Sequence, residues 1–233
     1  MKNKRILLKL SGESLAKDNG TGINYHKLLE IAEIIKEVLN DTNIELAIVV
    51  GGGNFWRGRS NNQMDSVTAD YIGMLATTMN ALALNDALLQ VGVESRVQTS
   101  IEMKQISELF VRSRALKHLE KKRVLIFGAG TGSPFFSTDT AAALRAAEVK
   151  ADILIKATNV DYIYDKDPRK YNDYEIIKEI SHLEVMKRKL KVMDLTAVSL
   201  CLENNLPIQV FNINKLENLK KALTGEKIGS IVK

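Results

Sequence analysis

A chain of 233 residues with 45% hydrophobic side chains has material for a packed core, as one large α/β domain or two small ones, and is not a disordered chain. Its net charge of +5 favours anionic partners without choosing among nucleotides, nucleic acid and acidic membranes. The opening MKNKRILLKLSG is too short in apolar residues for a signal peptide, and the sequence offers no run of about 20 apolar residues to cross a bilayer, so the expectation is a soluble, cytoplasmic protein.

Short β-rich runs alternate with helical patterns along the chain. RILLKL at 5–10 precedes a helix over 25–39, and ELAIVV at 45–50 precedes a helix over about 66–89. ESRVQ at 94–98 is followed by a helix ending near His118, RVLIF at 123–127 by a helix over 138–148, and DILIKA at 152–157 closes the regular alternation. The strands are unbroken apolar runs, which predicts a mostly parallel sheet buried on both faces, a three-layer α/β/α sandwich. After Thr158 the chain turns polar and tyrosine-rich around Pro168, an irregular loop with room for a hairpin. A helix over 194–204, the strand PIQVF, a helix over 215–223 and a strand near GSIVK complete the pattern. No repeat or linker interrupts it, so one domain with two lobes, about 1–155 and 156–233, is expected.

Glycine-containing turns follow three of the strands: KLSGES at 9–14, VVGGGNFWRGR at 49–59 and FGAGTGSPFFSTD at 127–139. KATNVD at 156–161 holds a similar strand end without glycine. In a parallel sheet these ends share one edge and converge on one crevice. Glycines let backbone amides approach phosphate oxygens, and a following helix N-terminus adds a positive dipole; tight turning alone would equally explain any single junction. Lys9, Arg57 and Arg59 beside them tilt the set toward anion binding. A P-loop is excluded because the chain has no Gly-Lys dipeptide. A dinucleotide fingerprint fails too: in GAGTGS, Ser133 and Pro134 stand where the third glycine belongs, and the next strand ends in Lys156 instead of an acid.

Other features read as structural. Cys201 lies alone on an apolar helical pattern, and His26, His118 and His182 lack metal-ligand spacing. KRKLK at 187–191 has no interleaved aromatics and reads as a solvated face, not a nucleic-acid site. The stretch over 66–89 is apolar on nearly every helical face, which fits either burial all round or one face against a second subunit.

In this order, KLSGESL, GGGNFWRGR, DYIGMLATTMNALALNDAL, TGSPFFSTDTAAALRA and KATNVDYIYDKDP resemble the uridylate kinases of bacteria, in the amino acid kinase superfamily, over essentially the whole chain. The resemblance implies that fold and the phosphorylation of UMP to UDP by MgATP, with magnesium held mainly by substrate phosphates. It implies a catalytic set of Lys9, Arg57, Asp139 and Lys156, in which Lys9 stabilises developing charge and Asp139 orients the lysines. ATP would meet Lys9, Leu10, Ser11, Gly12, Gly53, Arg57, Thr158, Asn159, Tyr164 and Asp167. UMP would meet Gly52, Asp70 at the opening of the long helix, and Thr131, Gly132, Ser133, Pro134, Phe135, Phe136, Ser137 and Thr138, the two phenylalanines walling the base. Lys17, Asp18, Asn19, Gly20, Thr21 and Gly22 match a segment through which bacterial members respond to GTP, and UTP inhibition and a homohexamer come with the same resemblance. The alternatives are a superfamily kinase acting on a carboxylate or carbamate, which GSPFFSTD argues against, and a non-catalytic nucleotide-binding protein, which Lys9, Arg57 and Asp139 argue against.

Overall fold

The computed structural model describes residues 4–56, 64–166, 168 and 170–233. In β1 (Arg5–Leu10) side chains alternate across the sheet: Ile6, Leu8 and Leu10 enter one buried cluster and Leu7 the opposite one. β2 (Glu45–Val50) divides likewise, Leu46, Ile48 and Val50 against Ala47 and Val49. The first cluster is closed by α1 (Tyr25–Asp41), α2 (Ser66–Gln90) and α7 (Glu217–Leu223). The second is closed by α3 (Arg112–Glu120), α4 (Thr138–Glu148), α5 (His182–Lys187) and α6 (Leu195–Glu203). Burial on both faces is why the strands read as unbroken apolar runs, and it produces the expected three layers.

The remaining strands are β3 (Ser95–Thr99), β4 (Glu108–Leu109), β5 (Val124–Gly128), β6 (Ile153–Thr158), β7 (Ile163–Tyr164), β8 (Ile176–Ile177), β9 (Glu179–Ile180), β10 (Ile208–Asn212) and β11 (Ser230–Val232). Nine of the described strands form one sheet in the order β4-β3-β5-β2-β1-β6-β10-β11-β9. Every neighbouring pair is parallel except β10 with β11. β7 and β8 form a separate antiparallel hairpin in the tyrosine-rich segment. From β1 the chain moves to β2 on one side, whereas from β6 it moves to β10 on the other. The crevice of such a sheet opens where the winding reverses, at the carboxyl ends of β1 and β6.

Two expectations about the long helix need correction. Ser66–Gln90 is long and apolar enough to span a bilayer by length and composition, but half of its most apolar window is buried in the protein, where it packs on α1, β3 and β5 as a core helix. Its N-cap is Asp65, whose carboxylate accepts from the Thr68 amide at 2.9 Å. Asp70 therefore stands beyond the first turn instead of opening the helix. Ala69, Thr77, Asn80, Ala81 and Leu84 are buried, while Tyr71, Leu75, Met79 and Leu89 are exposed on the other side.

Candidate active site

The parallel register sets Lys9 of β1 directly beside Lys156 of β6 at the point where the winding reverses. Both share the parity of Leu7 and Leu154 and so face α4. Asp139 waits there, in the first turn of α4. Lys156 Nζ donates to Asp139 Oδ2 at 2.6 Å and to the Val192 carbonyl at 2.6 Å. Lys9 Nζ lies 3.0 Å from Asp139 Oδ1 as an ion pair, short of the alignment of a hydrogen bond. Lys9 is only 7% exposed, too enclosed for a solvated strand-end lysine. Burial works against the Asp139 carboxylate, but the charges of Lys9 and Lys156 outweigh it and hold its pKa at about 2. Burial also pulls the Lys156 ammonium below the ordinary lysine range, against the attraction of Asp139 and with the repulsion of Lys9. Two cations share the one carboxylate they touch, while Asp194 attracts Lys156 without an ion pair.

Asp139 is held by a clasp that sequence reasoning missed. Ser137 caps α4, its Oγ accepting from the Asp139 and Thr140 amides at 3.0 and 3.1 Å, and donates to Asp194 Oδ2. Asp194 in turn caps α6, accepting from the Ala197 amide at 3.0 Å, and also accepts from the Thr140 hydroxyl at 2.8 Å. One carboxylate thus joins the starts of two helices, and the Ser137 hydroxyl is committed to the cap. The pattern D-L-T-A before an apolar run marks a helix start but does not reveal a partner 57 residues away.

At the ends of β1 and β2 the backbones touch. A Cβ on Gly12 would lie 2.5 Å from the Gly53 nitrogen, and one on Gly51 would lie 2.8 Å from the Gly12 nitrogen. Gly52 is pinned against α2, where its Cβ would meet the Ala76 Cβ at 2.9 Å. Gly53 differs: a Cβ there would reach nothing nearer than Glu13 Cγ at 3.6 Å, so protein packing does not demand glycine. Ser11 caps the short 3₁₀ turn Gly12–Leu15, its Oγ accepting from the Ser14 amide at 3.2 Å. The Leu10 side chain is fully buried, and its carbonyl accepts from the Gly51 amide at 2.8 Å.

The acceptor-side residues come together. Asp70 accepts from the Phe135 amide at 2.6 Å, tying α2 to the turn after β5. Phe135, at φ 71, is 71% exposed and Phe136 50% exposed, so both stand at the surface of the turn and not in the core. Thr131 Oγ1 accepts from the Ser133 amide at 3.2 Å, and Gly132 adopts φ 82 against Ser100. Ser100 Oγ donates to the Gly130 carbonyl at 2.8 Å, and buried Arg145, stacked 3.8 Å from the Phe110 ring centre, donates to Ser100 Oγ at 2.8 Å. Pro134 and Thr138 complete this turn up to the start of α4.

On the other side of the crevice, Thr158 pairs with Asn212 between β6 and β10, and Asn159 follows it. A cavity of about 340 Å³ opens beside them, lined by Asp161, Tyr162, Asn212, Lys215, Asn218 and Gly229 among others. Asn212 donates to Asp161 at 3.2 Å and Asn218 donates to the Asn212 carbonyl at 3.0 Å. Sequence reasoning named none of these six. Tyr164 lies in the neighbouring hairpin, edge-on to Tyr174 at 5.1 Å, with its phenol pushed up chiefly by burial. Arg57, Arg59 and Asp167 lie outside the described residues.

The segment Lys17 to Gly22, including Asp18, folds as an exposed turn. Gly20 N donates to the Lys17 carbonyl at 2.8 Å, and the Thr21 amide donates to Asn19 Oδ1 at 3.1 Å. Its end is tied to the glycine loop, the Gly22 amide donating to the Asn54 carbonyl at 3.0 Å. Among the described residues no His, Cys, Asp or Glu cluster suits a metal ion, and the two part-buried carboxylates nearest the lysines, Asp139 and Asp194, are already engaged. A protein-held metal does not fit them. Cys201 is buried with its thiol pushed up to about 12 by burial, a core side chain as expected.

A strand-end lysine pair bridged by a helix-start aspartate, on a sheet wound in opposite senses from that point, defines a class. Residues 4–212 match the amino acid kinase family, and the chain belongs to it. Among solved structures it is similar to the UMP kinase of Bacillus anthracis, 35% identical with a TM-score of 0.93, covering 99% of this chain and 96% of that one. The UMP kinase of Ureaplasma parvum is 37% identical, TM-score 0.93, with both chains covered completely at 100%. The uridylate kinase of Archaeoglobus fulgidus is 27% identical, TM-score 0.74, covering 98% and 99%.

Proposed function

We propose that this chain phosphorylates UMP to UDP with MgATP as the donor substrate. The observation that carries the proposal is the Lys9–Asp139–Lys156 cluster, set at the sheet's crevice in a chain whose full length is similar to UMP kinases. A nucleoside monophosphate loses its second proton at a pKa near 6, so its phosphate is already a nucleophile at neutral pH and needs no general base. One of its oxygens forms a bond to the γ-phosphorus while the bond from that phosphorus to the β–γ bridging oxygen breaks, and the electron pair leaves with ADP. The protein's task is alignment and charge neutralisation. Lys9 faces the transferring group, Lys156 supports it, and Asp139 keeps both ammonium groups pointed into the crevice while taking no proton.

In this proposal the ATP phosphates meet Lys9, the Leu10–Gly12 backbone and Gly53, and the donor base and ribose occupy the side of Thr158, Asn159 and Tyr164. UMP lies between Gly52, Asp70 and the turn over 131–138, where Asp70 would exchange its Phe135 partner or share it with the ribose. Magnesium arrives with the nucleotide phosphates. The exposed apolar face of α2 supports assembly with further copies of the chain, up to the expected hexamer. GTP activation through residues 17–22, inhibition by UTP and a cytoplasmic location belong to the same proposal.

Incubation of the pure protein with MgATP and each nucleoside monophosphate in turn tests it, and UDP is expected as the main product. Turnover of another acceptor in place of UMP would overturn it. Lys9→Ala is expected to lower kcat by roughly a hundredfold or more while UMP binding, followed by calorimetry, changes little; a variant as fast as the wild type would remove Lys9 from its role.

A further inference from the structure

Two fully enclosed asparagines lie beneath the glycine loop, Asn54 at 1% exposure and Asn80 at 0%. Their side chains bond reciprocally: Asn54 Nδ2 donates to Asn80 Oδ1 at 3.0 Å, and Asn80 Nδ2 donates to Asn54 Oδ1 at 2.7 Å. The second hydrogen of each amide leaves the pair. Asn80 donates to the Gly51 carbonyl at 2.7 Å and Asn54 to the Gly22 carbonyl at 2.8 Å. All four N–H donors are used, and both amide orientations are fixed, because turning either over would set a carbonyl oxygen against Gly51 O or Gly22 O. No other side chain of this size donates twice and accepts once in that geometry. An unsatisfied amide here would be expensive, so pairing this complete argues for a rigid unit.

Three elements of the crevice meet at that unit. Gly51 begins the loop proposed to lie between the two nucleotides, and its own amide donates to the Leu10 carbonyl at 2.8 Å, next to Ser11 and Gly12. A Cβ on Gly12 would come within 2.7 Å of Asn54 Oδ1, so the turn after β1 rests on the same side chain. Asn80 belongs to α2, and one turn earlier on that helix Thr77 Oγ1 accepts from the Ala129 amide at 2.9 Å, at the turn after β5. The inner face of α2 therefore holds both the floor and one wall. Through Gly22 the pair also fixes the end of the exposed segment over residues 17–22.

We infer that Asn54 and Asn80 act as one positioning couple for phosphoryl transfer, setting the height and tilt of the Gly51–Gly53 backbone on which donor and acceptor phosphates are aligned. The inference rests on the kinase proposal above. Neither residue touches a reacting atom. Misplacing the floor by a fraction of an ångström spoils in-line geometry while each nucleotide keeps its remaining contacts, so the loss belongs in kcat more than in either KM.

The test is steady-state UDP formation by the wild type, Asn54→Ser, Asn80→Ser and the double variant, well below each melting temperature. Each single variant is expected to lose roughly tenfold to a hundredfold in kcat, with both KM values within about threefold, and the double variant to be no slower than the slower single. Should a serine variant not fold, Asn80→Ala removes the couple without burying a new polar group or charge and carries the same expectation. Folded variants with kcat within about twofold of the wild type and only a lower melting temperature would overturn the inference, as would losses that add in the double variant. A wild type that makes no UDP sinks the kinase proposal instead, so the two failures are told apart by the first measurement.

Discussion

Individual residues in the crevice separate into those the protein requires and those it has no use for without a ligand. Gly52 and Gly53 are neighbours with opposite reasons. Gly52→Ala would drive a methyl group into Ala76 and the Gly73 carbonyl, at 2.9 and 3.0 Å, so it is expected to lower the melting temperature. Gly53→Ala has room, and is expected to melt like the wild type while raising the KM for MgATP several-fold, because the methyl group would stand where a phosphate approaches the backbone. Thermal melts paired with ATP saturation curves check both; a Gly53→Ala enzyme with unchanged KM would remove that contact. Asp139 has a different signature. Asp139→Ala strands two buried cations and is expected to cost about 3–5 kcal/mol in chemical unfolding. Because the folded pKa, about 2, lies below the ordinary 3.8, the carboxylate's contribution is full above pH 3.8 and disappears as the pH falls through 2. The stability gap between the wild type and Asp139→Asn should therefore shrink over that window, and a gap constant from pH 5 to about 2 would contradict the ion-pair account.

At the scale of elements, what the sequence revealed and what it hid have physical causes. Long apolar strands and 3.6-periodic helices declare themselves by pattern, and Lys9 stood out beside a glycine turn at a strand end, whereas the roles of Asp139 and Lys156 came only from the family resemblance, because an acid in a first helical turn is ordinary. β4, β8 and β9, two residues each, and the six-residue α5 carry too few side chains for a period to show. Asp70 was misplaced within its helix because Asp65 offers the same capping chemistry five residues earlier. The clasp between α4 and α6 and the Asn54–Asn80 pair were hidden for another reason: a polar side chain in an apolar run gives no sign of which distant partner satisfies it. Asp194 makes the point testable. Asp194→Ala removes the cap of α6 and the acceptor of the Ser137 and Thr140 hydroxyls at once, and one cap plus two hydrogen bonds at about 1 kcal/mol each suggest a loss near 3 kcal/mol. Turnover should fall as well, since Asp139 rides on α4; denaturant melts and kcat for Asp194→Ala and Asp194→Asn read the two effects, and a stable, fully active Asp194→Ala would dismiss the clasp.

For the whole molecule the deciding feature is the outer side of α2. Tyr71, Leu75 and Met79 follow at four-residue steps on one face, each 44–52% exposed, and make an apolar row about 12 Å long. The inner face of the same helix holds Thr77 and Asn80 under the crevice, so a partner laid on the row would also steady the floor. A monomer would leave this row in water beside a net positive surface, whereas a second copy laid across the same helix by a two-fold axis covers both rows with like against like. Leu75→Lys puts a charge in the middle of the row and, in a two-fold arrangement, opposite its own symmetry mate or within one turn of it. We expect this variant to sediment as smaller species than the wild type at equilibrium, with a melting temperature that falls more steeply with dilution. A fall in kcat with UMP and MgATP should accompany it, because α2 loses its outer support while its contacts to Gly51 and Ala129 persist. Leu89→Lys, beyond the row near the end of the helix, is the control, with a smaller shift in mass expected. A wild-type chain that sediments as a monomer at micromolar concentration, or a Leu75→Lys chain of unchanged mass, would show that this face is not where copies meet.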